Sequence, residues 1–190
     1  MDVVMRKRIS IDLDNTIFDM ATEYRAIIES HGCKYRSPVS YNVYNCGYPT
    51  HVADALCEMF QSDTVYNTRV FDEKLPGALN AIYQDPRYML FYITERDLSH
   101  GRDKTQLNNA GIICDDFRLI NYSPKVEILK KYKINLCFDD APHVVAGCLE
   151  NNIDVVMISN DDTAYNHHLR SQVEHYPNLM MALKKRGLAK

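Results

Sequence analysis

The chain has 190 residues, 46% of them hydrophobic, and a formal net charge of -3. That supports one domain with a substantial core, or one domain carrying an insertion. A slight acidic excess gives no reason to expect a long nucleic acid as partner, and no apolar run approaches the roughly 20 residues that span a bilayer.

The first eight residues are briefly basic, but a strand pattern follows them in place of a secretory apolar core. The six cysteines, at 33, 46, 57, 114, 137 and 148, form no C-x-x-C pair. Cys137 and Cys148 sit in apolar patterns, as buried thiols do. A reducing, cytoplasmic setting is the expectation. No repeat or low-complexity segment breaks the chain, and a homodimer stays open.

Taken in order, Ile9-Ser10-Ile11-Asp12-Leu13-Asp14-Asn15-Thr16 reads as a buried strand that ends in two aspartates. Residues 19–30 read as a helix, with Met20, Tyr24, Ile27 and Ile28 at helical spacing and Gly32 as its stop. Residues 34–50 have no period and read as a loop. Thr50 is placed to cap a helix over 51–61, with Val52, Leu56 and Met59 or Phe60 on one face, and a short helix is expected from Ser62 or Asp63.

The α/β rhythm then resumes. Helices are expected over 76–84, 99–110, 124–132, 142–150 and 177–186, and strands over 88–94, 117–121, 136–138 and 154–159. Strands alternating with helices imply parallel pairing with right-handed crossovers. In such sheets ligands bind outside the carboxyl ends of the strands.

Asp12 and Asp14, two apart on a strand, would share a face and converge at its carboxyl end. Two carboxylates that close need a cation between them or a shared proton. A solvated pair capping the next helix explains D-x-D equally well. Taken singly, the later candidates also have ordinary explanations. Thr94 suits a strand-end turn, Lys125 a solvated surface and Asp139-Asp140 a helix cap before Pro142. His167-His168 reads as a polar helix start, because no further Cys or His lies at ligand spacing. The lysine runs at 130–133 and 184–186 read as solvated faces.

Jointly, these pieces carry a resemblance. Asp12-x-Asp14-x-Thr16 resembles the first motif of the haloacid dehalogenase superfamily, Thr94 the second, Lys125 the third and Asp139-Asp140 the fourth, in that family's order. The order argues against a response-regulator receiver, in which the acidic pair comes first and the lysine last. The resemblance implies an α/β fold: a Rossmann-like parallel sheet with helices on both faces and a small helical cap inserted after the first strand. Residues 1–18 and 76–190 would form the core and 19–75 the cap.

It further implies a Mg²⁺-dependent phosphomonoesterase. Asp12 would be the nucleophile and Asp14 the general acid and base. Thr94 and Lys125, with Glu95 beside them, would form the phosphate pocket. Asp12, the backbone carbonyl of Asp14, Asp139 and Asp140 would hold or anchor the metal.

Within the superfamily the chain is most similar to the 5'(3')-deoxyribonucleotidase group. Leu75-Pro76-Gly77-Ala78, Phe138-Asp139-Asp140-Ala141-Pro142-His143 and Asp161-Asp162-Thr163-Ala164-Tyr165-Asn166 carry that likeness. It implies a nucleoside monophosphate as substrate. The chain has no Trp, so base stacking would fall to Tyr24, Tyr44 and Tyr48, with Tyr41, Phe60 and Tyr66 as further candidates. The chain departs from the group in two ways: Glu95 stands where a small residue is common, and no third acidic residue follows Asp140. A sugar phosphate, a 3'-phosphate end and a non-catalytic phosphate-binding role remain as alternatives.

Overall fold

The computed structural model describes residues 6–96 and 100–190. Its centre is a six-stranded, all-parallel sheet in the order β3-β2-β1-β4-β5-β6. The strands are β1 (Lys7–Ile11), β2 (Tyr88–Thr94), β3 (Leu119–Asn121), β4 (Leu136–Asp139), β5 (Asp154–Ile158) and β6 (Glu174–Tyr176). β1 lies between β2 and β4, with Ile11 opposite both Tyr92 and Phe138. The strands that carry Thr94 and Asp139 therefore flank the one that leads to Asp12.

Side chains alternate across the strands, so each strand feeds two cores. Leu90 and Tyr92 join Ile9, Ile11 and Phe138 on one face. There they meet α3 (Leu75–Gln84), the Leu107 side of α4 (His100–Asn109) and α7 (Leu179–Lys185). Phe91, Ile93, Cys137 and Met157 face the other way, against α5 (Lys125–Lys131) and α6 (Pro142–Glu150). α5 and α6 approach closely at Gly147, where an added Cβ would lie 2.5 Å from a Val126 methyl.

Between β1 and α3 the chain leaves the sheet and returns to it. Phe18 pairs with Val70, and Asp19 N–H and Phe71 N–H donate to Arg69 and Ile17 carbonyls, so the outgoing and incoming strands run side by side. The segment between them contains α1 (Met20–Ser30), a 3₁₀ turn (Val43–Asn45), α2 (Thr50–Gln61) and a second 3₁₀ turn (Asp63–Asn67). It has its own small cores: Met20, Met59 and Val65 in one, Ile28, Val52 and Leu56 in the other.

Several boundaries differ from expectation. Thr50 is the first residue of α2 rather than its cap; Pro49 holds the cap position without a side-chain bond. The strand expected from Phe117 starts at Leu119, because Asp116–Arg118 forms a 3₁₀ turn. β6 was not expected at all. It is three residues long, lies at the sheet edge and is largely exposed, so it carries no hydrophobic pattern to read. The start expected at Ser99 for the helix before Gly111 lies outside the described residues. No described helix is long and apolar enough to cross a membrane.

Candidate active site

The first aspartate pair is assembled by a turn. β1 ends at Ile11, before either aspartate. Asp12 N–H still donates to Phe138 O at 3.0 Å, but the chain then folds back, with Ile17 and Phe18 N–H donating to Leu13 O. Asn15 takes φ 54° inside this turn, a left-handed conformation that Asn tolerates better than most residues. Asp12 and Asp14 thus open into one cavity of about 310 Å³ while contacting different cations. The expected same-face convergence along a strand is replaced by this turn.

Asp12 is paired with Lys125. The Lys125 ammonium lies 2.5 Å from Asp12 Oδ1 and 2.8 Å from Asp139 Oδ2, and all three side chains are buried. Lys125 is the first residue of α5. Its N–H donates to Glu95 Oε1 at 2.8 Å, so a carboxylate from the end of β2 caps the helix. Thr94, beside it, is 1% exposed and lines the cavity.

Asp140 is braced from the far side by the 3₁₀ segment Asp161–Leu169. The Tyr165 hydroxyl donates to Asp140 Oδ2 and accepts from Asn15 Nδ2 at 3.2 Å. Asn166 Nδ2 donates to Asp140 O at 2.7 Å and to Ile158 O at 2.9 Å. Tyr165 and Asn166 belong to a stretch the sequence marked by likeness, but they were not placed among the site residues. Their role becomes visible only once β4 and β5 are neighbours.

Asp12, Asp139 and Asp140 each offer a carboxylate oxygen within 4.8 Å of the others. The Asp14 carboxylate stands outside that set, so any share it has in a metal site would come through its backbone carbonyl. Three buried carboxylates face one ammonium here, and the imbalance shows in their proton affinities. Burial pushes Asp12 well above the usual carboxylate range, with Lys125 opposing and Asp139 and Asp140 adding to the rise. Burial and the charge of Asp139 push Asp140 up to about 7, although the Tyr165 hydrogen bond pulls it down. Burial opposes the charge on Lys125, yet Asp12 and Asp139 together hold it well above its ordinary value. An all-oxygen, net-negative, buried donor set suits a hard divalent cation such as Mg²⁺.

Asp14 is held by a residue the sequence reading missed. Arg96 grips it with a two-pronged bond, Nε to Oδ2 at 2.9 Å and Nη2 to Oδ1 at 2.5 Å. Its third nitrogen, Nη1, reaches Asp103 Oδ1 at 2.8 Å and Gln106 Oε1 at 2.7 Å. In sequence Arg96 was only the neighbour of a motif threonine, and nothing local announces its partner 82 residues away.

On the Glu95 side, burial works against the charge. Bonds from His143 and the Lys125 N–H outweigh it and hold Glu95 down at about 2. His143 Nε2 lies 2.6 Å from Glu95 Oε2. Aromatic rings also line the cavity: Tyr24, Tyr35, Tyr41, Tyr48, Phe60 and Tyr165. Tyr41 meets the rings of His143 and Tyr165 edge-on, at 5.2 and 5.5 Å. Tyr44 does not line the cavity; its ring is 50% exposed and its hydroxyl bonds Asp54 at 2.8 Å. Tyr66 is also off the cavity, stacked beside Arg96 and Arg102. His167 Nε2 lies 2.7 Å from Asn160 O, a local contact.

No family model matches the chain, and no curated protein matches it. Solved structures do. A haloacid dehalogenase-like family hydrolase from Streptococcus pneumoniae superposes with a TM-score of 0.61 at 15% identity, over 95% of this chain and 98% of that one. A protein from Clostridium acetobutylicum described as a predicted phosphatase gives 0.60 at 14% identity, over 97% and 99%. A 2-haloacid dehalogenase from Pseudomonas syringae gives 0.52 at 15% identity, over 96% and 100%. With its strand order and the placement of its acidic residues, the chain is built on the haloacid dehalogenase-like fold.

Proposed function

We propose that the protein is a Mg²⁺-dependent phosphomonoesterase that works through an aspartyl-phosphate, acting on nucleoside monophosphates as a 5'(3')-deoxyribonucleotidase does. The observation that carries this reading is the buried Asp12–Lys125–Asp139 contact on the floor of an aromatic cavity. The likeness to a hydrolase and to a predicted phosphatase is consistent with it.

Asp12 attacks phosphorus, and the P–O bond to the organic group breaks. The departing oxygen takes a proton from the Asp14 carboxyl. Asp14, now a carboxylate, accepts a proton from water as that water attacks the aspartyl-phosphate. Inorganic phosphate leaves, and Asp12 and protonated Asp14 are restored. Lys125 and the Thr94 hydroxyl stabilise the phosphoryl oxygens as charge builds on them. Asp12, Asp139 and Asp140, with the Asp14 carbonyl, would hold Mg²⁺, which when bound supplies positive charge against the phosphoryl group.

Residues 19–75 act as a cap in this reading, with 1–18 and 76–190 as the core. The cap supplies most of the aromatic wall and excludes water from the phosphoryl group. That wall favours a flat, partly apolar leaving group, such as a nucleoside, over a sugar alone. The free state of all six cysteines agrees with a cytoplasmic setting.

The test is phosphate release from a panel of 5'- and 3'-nucleoside monophosphates and sugar phosphates, with Mg²⁺, with chelator, and with Asp12→Asn. Cation-dependent release that Asp12→Asn abolishes supports the reading, and the preferred substrate decides the subgroup. No release from any panel member rejects it.

A further inference from the structure

The Arg96 cluster does more than neutralise Asp14. Arg96 is buried, and its guanidinium carbon lies 5.9 Å from the Phe18 ring centroid and 5.6 Å from that of Tyr66. Nε and Nη2 are spent on Asp14 and Nη1 on Asp103 and Gln106. Asp103 is 0% exposed and also accepts from Asn121 Nδ2. Gln106 turns its amide toward the inserted segment, donating to Val65 O at 2.9 Å and Thr68 O at 3.5 Å. One continuous polar chain thus runs from the Asp14 carboxylate through Arg96 and Gln106 to the backbone of residues 65–68.

A carboxylate has about four lone-pair sites. A guanidinium fork takes two and locks the plane of the group. The carboxylate also lines the cavity, so a lone pair left outside the fork can meet a leaving-group oxygen there. A fork of this kind fixes which lone pairs meet the substrate, which a lysine ammonium cannot do.

We propose that Arg96 is the positioning residue for Asp14, and that Gln106 makes its position depend on how the inserted segment is seated. This rests on the phosphatase reading above, with Asp14 as the proton donor. Arg96 itself touches no substrate in this scheme. Its effect on the first step, cleavage of the ester, should appear only where the departing oxygen needs a proton; its effect on hydrolysis of the aspartyl-phosphate is shared by every substrate.

The experiment compares two esters in full-length protein with Mg²⁺, following release of the alcohol or phenol in a single turnover so that the first step is read by itself. Deoxythymidine 5'-monophosphate leaves as an alkoxide and needs a proton; p-nitrophenyl phosphate leaves as a stable phenolate and does not. A positioned general acid is worth about 10²–10⁴-fold. Arg96→Lys should therefore slow single-turnover release of the nucleoside by about 100-fold or more, change the nucleotide's KM by less than about threefold, and slow single-turnover release of p-nitrophenol by less than about tenfold. Gln106→Leu, which leaves the fork itself in place, should show the same split at about a tenth of the size.

Equal losses of the single-turnover release rate on both esters in Arg96→Lys would overturn the positioning role, as would no loss on either. If Arg96→Lys does not fold, Gln106→Leu carries the same test. A normal ester ratio in Gln106→Leu would overturn the link to the inserted segment. Inactivity of the wild type on both esters would reject the phosphatase reading itself, and it is seen before any variant is made.

Discussion

Two buried cations stand on either side of the turn after β1, and they live differently. Lys125 is a point charge facing three carboxylates, Asp12, Asp139 and Asp140, two of which it touches. Among the described residues Arg96 faces two, Asp14 and Asp103, and it also bonds the neutral amide of Gln106. Around Arg96, four of the five guanidinium N–H groups donate to described partners, and two carboxylates meet its charge. Around Lys125 negative charge is in excess and two carboxyls are driven toward protonation. The unbalanced cluster is the one suited to take up a further cation and to do chemistry.

The largest test of that contrast is Asp12→Asn. Turnover should fall to background, because the amide cannot attack phosphorus. Apo stability should hold or rise, since one of the crowded carboxylates is gone. A thermal melt beside the phosphate assay reads both, and an active Asp12→Asn enzyme would move the nucleophile elsewhere.

Next comes removal of each cation. Breaking a buried pair from one side costs about 3–5 kcal/mol. Lys125→Met and Arg96→Met should both destabilise the protein on that scale, read as a shift of the denaturant midpoint. Adding Mg²⁺ should recover part of the loss in Lys125→Met and none in Arg96→Met. Equal rescue of both would erase the distinction between the clusters.

In the wild type, Mg²⁺ at 100 times its dissociation constant should stabilise the fold by about 2.7 kcal/mol. Asp140→Asn should weaken that gain, while Asp14→Asn, altered only in its side chain, should weaken it less. Titration calorimetry on the three proteins would show it.

The smallest effect belongs to the Glu95–His143 pair at the rim. His143 is raised above 6.5 chiefly by its bond to Glu95, so its contribution is complete below that value and fades as pH rises through its shifted pKa. Glu95 is lowered from 4.5 to about 2, so its contribution is complete above 4.5 and is lost as pH falls toward 2. The pair is fully present between about 4.5 and 6.5. The pair is partly exposed, so solvent screens it. The difference in stability between wild type and His143→Ala should be greatest in that window and shrink on either side. A flat difference from pH 4 to 8 would remove the pair from the account.

Much of this molecule could be read from its residues. Hydrophobic period placed α1, α2, α5 and α6 and the strands β1, β2, β4 and β5 to within a few residues, because buried faces need apolar side chains at fixed spacing. The aspartates, Thr94 and Lys125 stood out as candidates because polar residues follow apolar strands or open a helix there, and the structure buries Asp12, Asp139, Asp140, Thr94 and Lys125. What stayed hidden was mostly partnership. Arg96 and Asp14, Tyr165 and Asp140, and Gln106 and Val65 lie 82, 25 and 41 residues apart. Which polar side chain meets which depends on the turn that replaces the end of β1 and on how the inserted segment sits.

The tyrosines make the same point. Tyr41 and Tyr44 are about equally exposed, yet Tyr41 lines the cavity against His143 and Tyr165 while Tyr44 bonds Asp54. Local sequence determined where backbone order begins and ends and which side chains must leave water, since period and propensity act over one or two turns. Only the tertiary structure decided how the buried charges pair, because electrostatic energy in a low-dielectric interior depends on distances that no local pattern encodes.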